Sequence, residues 1–510
     1  AAVEPYSESE AGIIRNGVFA ALPDAFGISL GYTNDPTTFK NRSTPAPSTR
    51  SMACKAQTSG RIYLHSGPRT ELHEIIRQEY ARHQDRAVPR NTLRQAVQGM
   101  LDTFAYQNFD AAAGEYTNRC CRPPRETEMR PWRLVTEIGW TGGGVLAYPL
   151  VLCRDALGAD AEAPLAAAMS GEQLFDRIAD AYNENSGLLN DLMAPNAAGS
   201  QVNGWWTGYG LVKDCHCAYT VGSAVHYLTK TMDYLHQNGK PCPAKWMDTA
   251  QKVLHTVMDL QRADGAFGYT YSTQERKVLD WSGFAGCWFA PALVYLYRLT
   301  GEERCLHSAE KALDYYHTFV KDLNCYGTPM DTWKAVDEEG NLAFMRGSRL
   351  LYEQTGKAEF LQYMKDSAGY EFLWRYGYKT YPEHTPLNQG WSACGGAVTS
   401  VSNPHIHPMG VIIDTDLRYL ARVTGDGYYA SRAADSAAWM LQCLELYPAA
   451  TGYGRYGILS ERWCPSDGLD VERFSDGRPF SSWFSHNLWA SACVLEAACE
   501  LLLEIEHKKG

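Results

Sequence analysis

The chain has 510 residues, of which 21% are charged and 45% hydrophobic, and a formal net charge of −11. That mix supports a large buried core and excludes disorder for most of the chain. The acidic balance excludes nucleic acid as the main partner, and no apolar run nears the roughly twenty residues of a membrane helix.

Residues 1–70 hold Gly, Pro, Ser and Thr clusters, such as Ser43 to Ser51 (STPAPSTRS), and short β-type runs such as Arg61 to Leu64. They read as a small β/irregular segment. A linker helix from about Glu71 to Ala81 is expected within residues 71–89. From residue 90 to 510, apolar residues recur at helical spacing. Twelve helices are expected at about 90–107, 131–156, 171–184, 215–237, 243–261, 281–299, 302–321, 342–355, 358–375, 407–423, 426–446 and 483–506.

Leu299-Thr300-Gly301, Gln354-Thr355-Gly356 and Val423-Thr424-Gly425 each close an apolar helix just before another amphipathic one, and Gly239 stands in the equivalent place one unit earlier. Glycine there suits a left-handed helix C-cap. These tight turns alternate with long connections at about 108–130, 185–214, 262–280, 322–341, 376–406 and 447–482. Short turns therefore fall on one side of the array and six long loops on the other, where long loops tend to carry function.

Twelve helices in six hairpins with one loop-rich face resemble the (α/α)6 toroid of carbohydrate-active enzymes, a class of glycoside hydrolases, polysaccharide lyases and sugar epimerases. The resemblance covers about residues 90–510 and is one of architecture, with no family-specific catalytic motif matched. It implies a mainly α fold with the site among the long loops and inner-helix N-termini.

Glycoside hydrolysis needs two carboxyl groups of different acidity, and aromatic faces stack on sugar rings. Glu137, Asp214 and Asp280 are the candidates for acid/base work. Trp205, Trp206, His216, Trp281, Arg346, His405, His407, Tyr453, Arg455, Trp483 and His486 are the candidates for substrate binding. The fourth long loop adds Asp331, Trp333, Asp337 and Glu338. Arg119, Arg122, Arg125, Arg130 and Arg133 reverse the acidic average locally. Arginine pairs with carboxylates, so the expected substrate is an acidic, uronic-acid-containing glycan and the expected enzyme a β-glucuronidase-like glycosidase.

The alternatives are a lyase cleaving uronate glycans by β-elimination with Asn403, His405, His486, Asn487 and Tyr453, a non-catalytic sugar-binding toroid, and a zinc prenyltransferase-like toroid. Asp214 to Cys217 (DCHC) offers metal-ligand types, but adjacent ligands rarely build a tetrahedral site. No metal and no cofactor is expected, and a homo-oligomer is left open. The 15 cysteines, odd in number and scattered, point to reduced thiols and the cytoplasm. Export with a signal removed is the alternative, since the chain starts at Ala1.

Overall fold

The computed structural model describes residues 5–6, 17–22, 25–30, 32–33, 66–83, 86–110, 115–120, 130–133, 138–139, 142–158, 162–191, 204–206, 211–328, 334–379, 392–400, 403–444, 461, 463, 485–486 and 488–507. Thirteen α-helices lie among them. In chain order they are α1 (Leu72–His83), α2 (Leu93–Thr103), α3 (Gly144–Leu157), α4 (Glu162–Asp180), α5 (Ala218–Gln237), α6 (Ala244–Asp259), α7 (Phe289–Thr300), α8 (Glu303–Lys321), α9 (Glu339–Thr355), α10 (Ala358–Trp374), α11 (Asp414–Thr424), α12 (Gly427–Cys443) and α13 (Leu488–His507). No helix among the described residues is long and apolar enough to cross a membrane.

The inner ring runs α3, α5, α7, α9, α11, α13 and returns to α3, and the remaining helices from α2 to α12 stand outside it. The last inner helix packs on both α2 and α3, so α13 and α2, from opposite ends of the array, form the sixth pair. The tight turns at Gly301, Gly356 and Gly425 have φ of 73°, 64° and 70°. Only glycine adopts these values without strain. Eleven of the described cysteines are free thiols.

Several expected helices begin elsewhere. Residues 130–133 are a strand and α3 starts only at Gly144. A strand and a 3-10 turn precede α11, and another 3-10 turn at Ala285–Trp288 leads into α7. The fourth helix starts nine residues early, at Glu162, where the alanine-rich run favours helix without displaying an apolar stripe. At the N-terminus the strands Gly17–Leu22 and Ala25–Leu30 form an antiparallel hairpin. Helix α1 is fixed to the outer wall by Arg77, which donates to Asp426 at 2.6 and 2.9 Å, and by the Tyr80 hydroxyl, which donates to Asp435 at 2.6 Å.

The axis of the ring is polar towards the short-turn face. Lys230 of α5 pairs with Glu496 and, at 2.8 Å, with Glu500 of α13. Tyr227 donates to Glu496 at 2.9 Å and Tyr148 of α3 to Glu500 at 3.1 Å. Arg346 of α9 donates to Asp416 of α11 at 2.8 and 2.9 Å. These ties cross between helices far apart in sequence and hold the ring closed from within.

Candidate active site

The long connections bring six inner-helix N-termini to one end of the axis. Asp337, Glu338 and Glu339 open α9 there, all three buried. Their roles differ because a helical turn points each in a different direction.

Asp337 is a cap. Its carboxylate accepts from the backbone N–H of Gly340 at 3.2 Å and of Thr328 at 3.1 Å, and its carbonyl accepts from the Tyr370 hydroxyl at 2.7 Å. Burial pushes its carboxyl up to about 8, against those hydrogen bonds. The folded protein thus holds a proton that the unfolded chain, at its ordinary value of 3.8, releases. This contribution to stability is complete below that value and is lost as the pH rises towards 8. The Asp337→Asn variant should show a flatter melting temperature across that window than the parent, as read by thermal unfolding at a series of pH values.

Glu338 faces the opposite way, into a closed cluster. It is fully buried, and burial together with the neighbouring Glu371 carboxylate pushes its carboxyl well above the usual carboxylate range. Arg375 donates to Glu371 at 2.7 and 3.1 Å, to Asp414 at 2.8 Å and to the Gly410 carbonyl at 2.7 Å. Asp414 is pushed up by burial, to about 6, despite that guanidinium. A Cβ on Gly410 would lie 2.4 Å from Glu338 Oε1, so glycine is required where the chain crosses the acid pair.

Glu339 sits on the same helical face as Arg346, two turns nearer the long loops. Arg346 meets the axial network, which puts Glu339 at the axis as well. Burial and the neighbouring Glu339 carboxylate push the Tyr219 hydroxyl well above its ordinary value. Tyr219 opens α5, lies edge-on to Trp288 with ring centroids 5.7 Å apart, and reaches Met409 Sδ at 3.9 Å. Tyr219 thus links the start of α5 to the lead-in turns of α7 and α11, beside the start of α9. Two turns below Tyr219, His226 is kept well below its ordinary value by burial and by Lys230 and Arg346.

The sequence candidates separate clearly. Asp280 lies at the rim, where Lys334 donates to it at 2.5 Å and the Ser282 N–H at 2.8 Å. Burial raises its carboxyl, but Lys334 and Ser282 outweigh that and hold it below the ordinary value. Trp281 beside it faces the Arg262 guanidinium at 5.1 Å. Asp214 is exposed, with φ of 57°. Cys215–Cys217, Thr270–Ser272 and Val278–Asp280 form one three-stranded sheet, with Cys217 opposite Thr270 and Thr270 opposite Asp280. Three residues and two strands separate the Asp214 and Asp280 backbones, about 14 Å, so the sheet does not bring these carboxylates together.

His216 is fully enclosed. Its Nδ1 meets Asp191 Oδ2 at 3.0 Å and its Nε2 the Ser186 hydroxyl at 2.9 Å. With Ser186 and Asp191 buried too, the chain fastens a loop to the sheet and offers no surface to a ligand. Trp205 is 1% exposed and therefore core, with no free face for a sugar. Arg346 is likewise committed, to Asp416 and the Ile412 carbonyl. His407 is buried, stacked on Trp489 at 6.0 Å. Trp206, His405 and His486 have a backbone position in strands. Glu137, Tyr453, Arg455, Trp483, Asp331 and Trp333 lie outside the described residues.

Part of the arginine run converges in backbone terms. Asn118–Cys120 pairs with both Arg130–Arg133 and Ser485–His486, so that Arg119 stands opposite His486 and Cys120 opposite Arg130. One small sheet beside the start of α13 thus carries three arginines and a histidine.

No family model matches this chain, and no curated protein matches it. Solved structures do. A family 76 glycoside hydrolase from a bovine Bacteroides thetaiotaomicron strain superimposes with a TM-score of 0.52 at 12% identity, covering 82% of this chain and 78% of that one. A family 76 glycoside hydrolase (mannosidase) from Bacteroides thetaiotaomicron VPI-5482 gives 0.50 at 13% identity, covering 81% of this chain and 99% of that one. The fold is the (α/α)6 toroid. At such identities the likeness establishes the architecture, and the chemistry rests on the site itself.

Proposed function

We propose that this toroid is a glycoside hydrolase acting on an acidic, uronic-acid-containing glycan, with its active site where the inner helices begin. The observation that carries the reading is Glu339, a buried carboxylate at the axial end of the long-loop face, beside the Tyr219 hydroxyl. Burial beside a phenol suits a proton donor. Asp280, kept ionised by Lys334 at the rim, suits the partner that needs a charged carboxylate. In this reading Glu339 protonates the departing glycosidic oxygen, and Asp280 activates the water or receives the sugar. Trp281 supplies a ring face, while Lys334 and the sheet bearing Arg119, Arg130 and Arg133 favour a substrate carboxylate.

A panel of neutral and uronate-containing oligosaccharides tests this. Release of a saturated uronic acid is the expected result. An unsaturated uronate product, visible by its ultraviolet absorbance, would replace hydrolysis with β-elimination. Turnover of neutral oligosaccharides alone would remove the acidic substrate from the reading.

A further inference from the structure

A cavity of about 300 Å³ lies outside the ring, between α1 and the segment that continues α10, and is lined by Tyr80, Phe372, Tyr376, Tyr378, Arg432 and Glu79, whose carboxylate accepts from Arg82, among others. That volume is at the lower end of small-molecule sites and suits one sugar ring. None of Glu339, Tyr219 or Asp280 borders it.

Arg432 gives the cavity its chemistry. It is fully buried, with its guanidinium carbon 4.2 Å from the Phe372 ring centre and 4.8 Å from that of Tyr80. One terminal nitrogen donates to the Tyr428 hydroxyl at 3.1 Å and the other to the Arg375 carbonyl at 2.8 Å, while Nε has no acceptor. Among the described residues no carboxylate forms an ion pair with it. Asp435, one turn further along α12, is occupied by Arg86 at 2.5 Å and by the Tyr80 hydroxyl at 2.6 Å. A buried guanidinium without a counter-ion is costly, and ring faces offset only part of that cost. An anion in the cavity would supply the missing charge, and Tyr376 and Tyr378 would flank the ring that bears it.

We infer that this cavity is a second binding site, outside the catalytic axis, for a carboxylate-bearing sugar ring such as a uronic acid. The choice of sugar rests on the acidic-glycan reading, whereas the demand for an anion rests on Arg432 alone. A site there would hold one end of an acidic chain while the axis works on another.

The test uses the whole chain with D-glucuronate and, as the neutral control, D-glucose. Hydroxyl-radical footprinting reads protection of Tyr376 and Tyr378, and calorimetry reads affinity. Glucuronate should protect both tyrosines and glucose should not. The Arg432→Met variant should bind glucuronate at least about tenfold more weakly, as expected for loss of a charged hydrogen-bonding partner. Because Arg432 is buried, Tyr378→Ala at the exposed mouth provides a second variant, with the same direction of change and with turnover of a short substrate unchanged. Equal protection by both sugars, no protection by either, or unaltered affinity in both variants overturns the proposal. A chain inactive on every glycan would sink the hydrolase reading and yet leave glucuronate protection at Tyr378 to be seen or missed.

Discussion

Replacing Glu339 by Gln should lower kcat/KM on a glycan substrate by about 10³-fold, within the range that loss of an acid/base group produces. The variant tests chemistry more than folding. Gln has the shape of Glu, so the packing beside Tyr219 persists. It has no proton to give to a leaving oxygen. Circular dichroism and the melting temperature should therefore stay near those of the parent while turnover collapses. The loss should shrink with an activated aryl glycoside, whose leaving group needs little protonation. Retention of more than a tenth of the parent activity on an unactivated glycan would sink Glu339 as the proton donor. Asp280→Asn should also reduce turnover, but without that dependence on the leaving group, since its assigned part is played by the charged form.

The alternation of tight turns and long loops was readable from the chain because its signals are local. Glycine at Gly301, Gly356 and Gly425 marks a left-handed cap whatever surrounds it. The pairing of α13 with α2 has no local signal, since the two meet only when the ring closes. The site was less legible for a related reason. His216 and Arg346 are residue types that often bind ligands, yet each is satisfied by a partner distant in sequence, Asp191 and Asp416, and is buried with it. The acidic run at the start of α9 was visible in part. Asp337 and Glu338 stood out as loop carboxylates, but Glu339, inside the same expected loop 322–341, was not singled out, since acids are common near helix starts. Its distinction is the seven-residue step to Arg346, a spacing that acquires meaning once Arg346 is known to face the axis. Glu371 and Arg375 gave a similar signal, an i, i+4 pair of the kind usually found on a solvated face. Both are instead fully buried, because the segment after α10 folds back across them.

That buried cluster leads to the largest expected effect on stability. Arg375→Met should cost about 3–5 kcal/mol, the range for breaking one side of a buried ion pair, and much of the marginal stability of a folded domain. The parent guanidinium serves Glu371 and Asp414 directly and lies in the field of Glu338. Met fills comparable space but leaves these carboxylates in the interior without a cation. Their remaining recourse is to take up protons. With Arg375 gone, the folded-state pKa of Asp414 should rise further above its ordinary value, so the variant should be most stable at acid pH and lose stability as the pH rises through the shifted value. Urea unfolding followed by circular dichroism should show a difference between parent and variant that is small near about pH 5 and grows towards about pH 8. Arg375→Lys should recover little, because one ammonium cannot reproduce the directed hydrogen bonds to Glu371, Asp414 and the Gly410 carbonyl. A Met variant within about 1 kcal/mol of the parent at every pH would mean that Arg375 contributes packing alone.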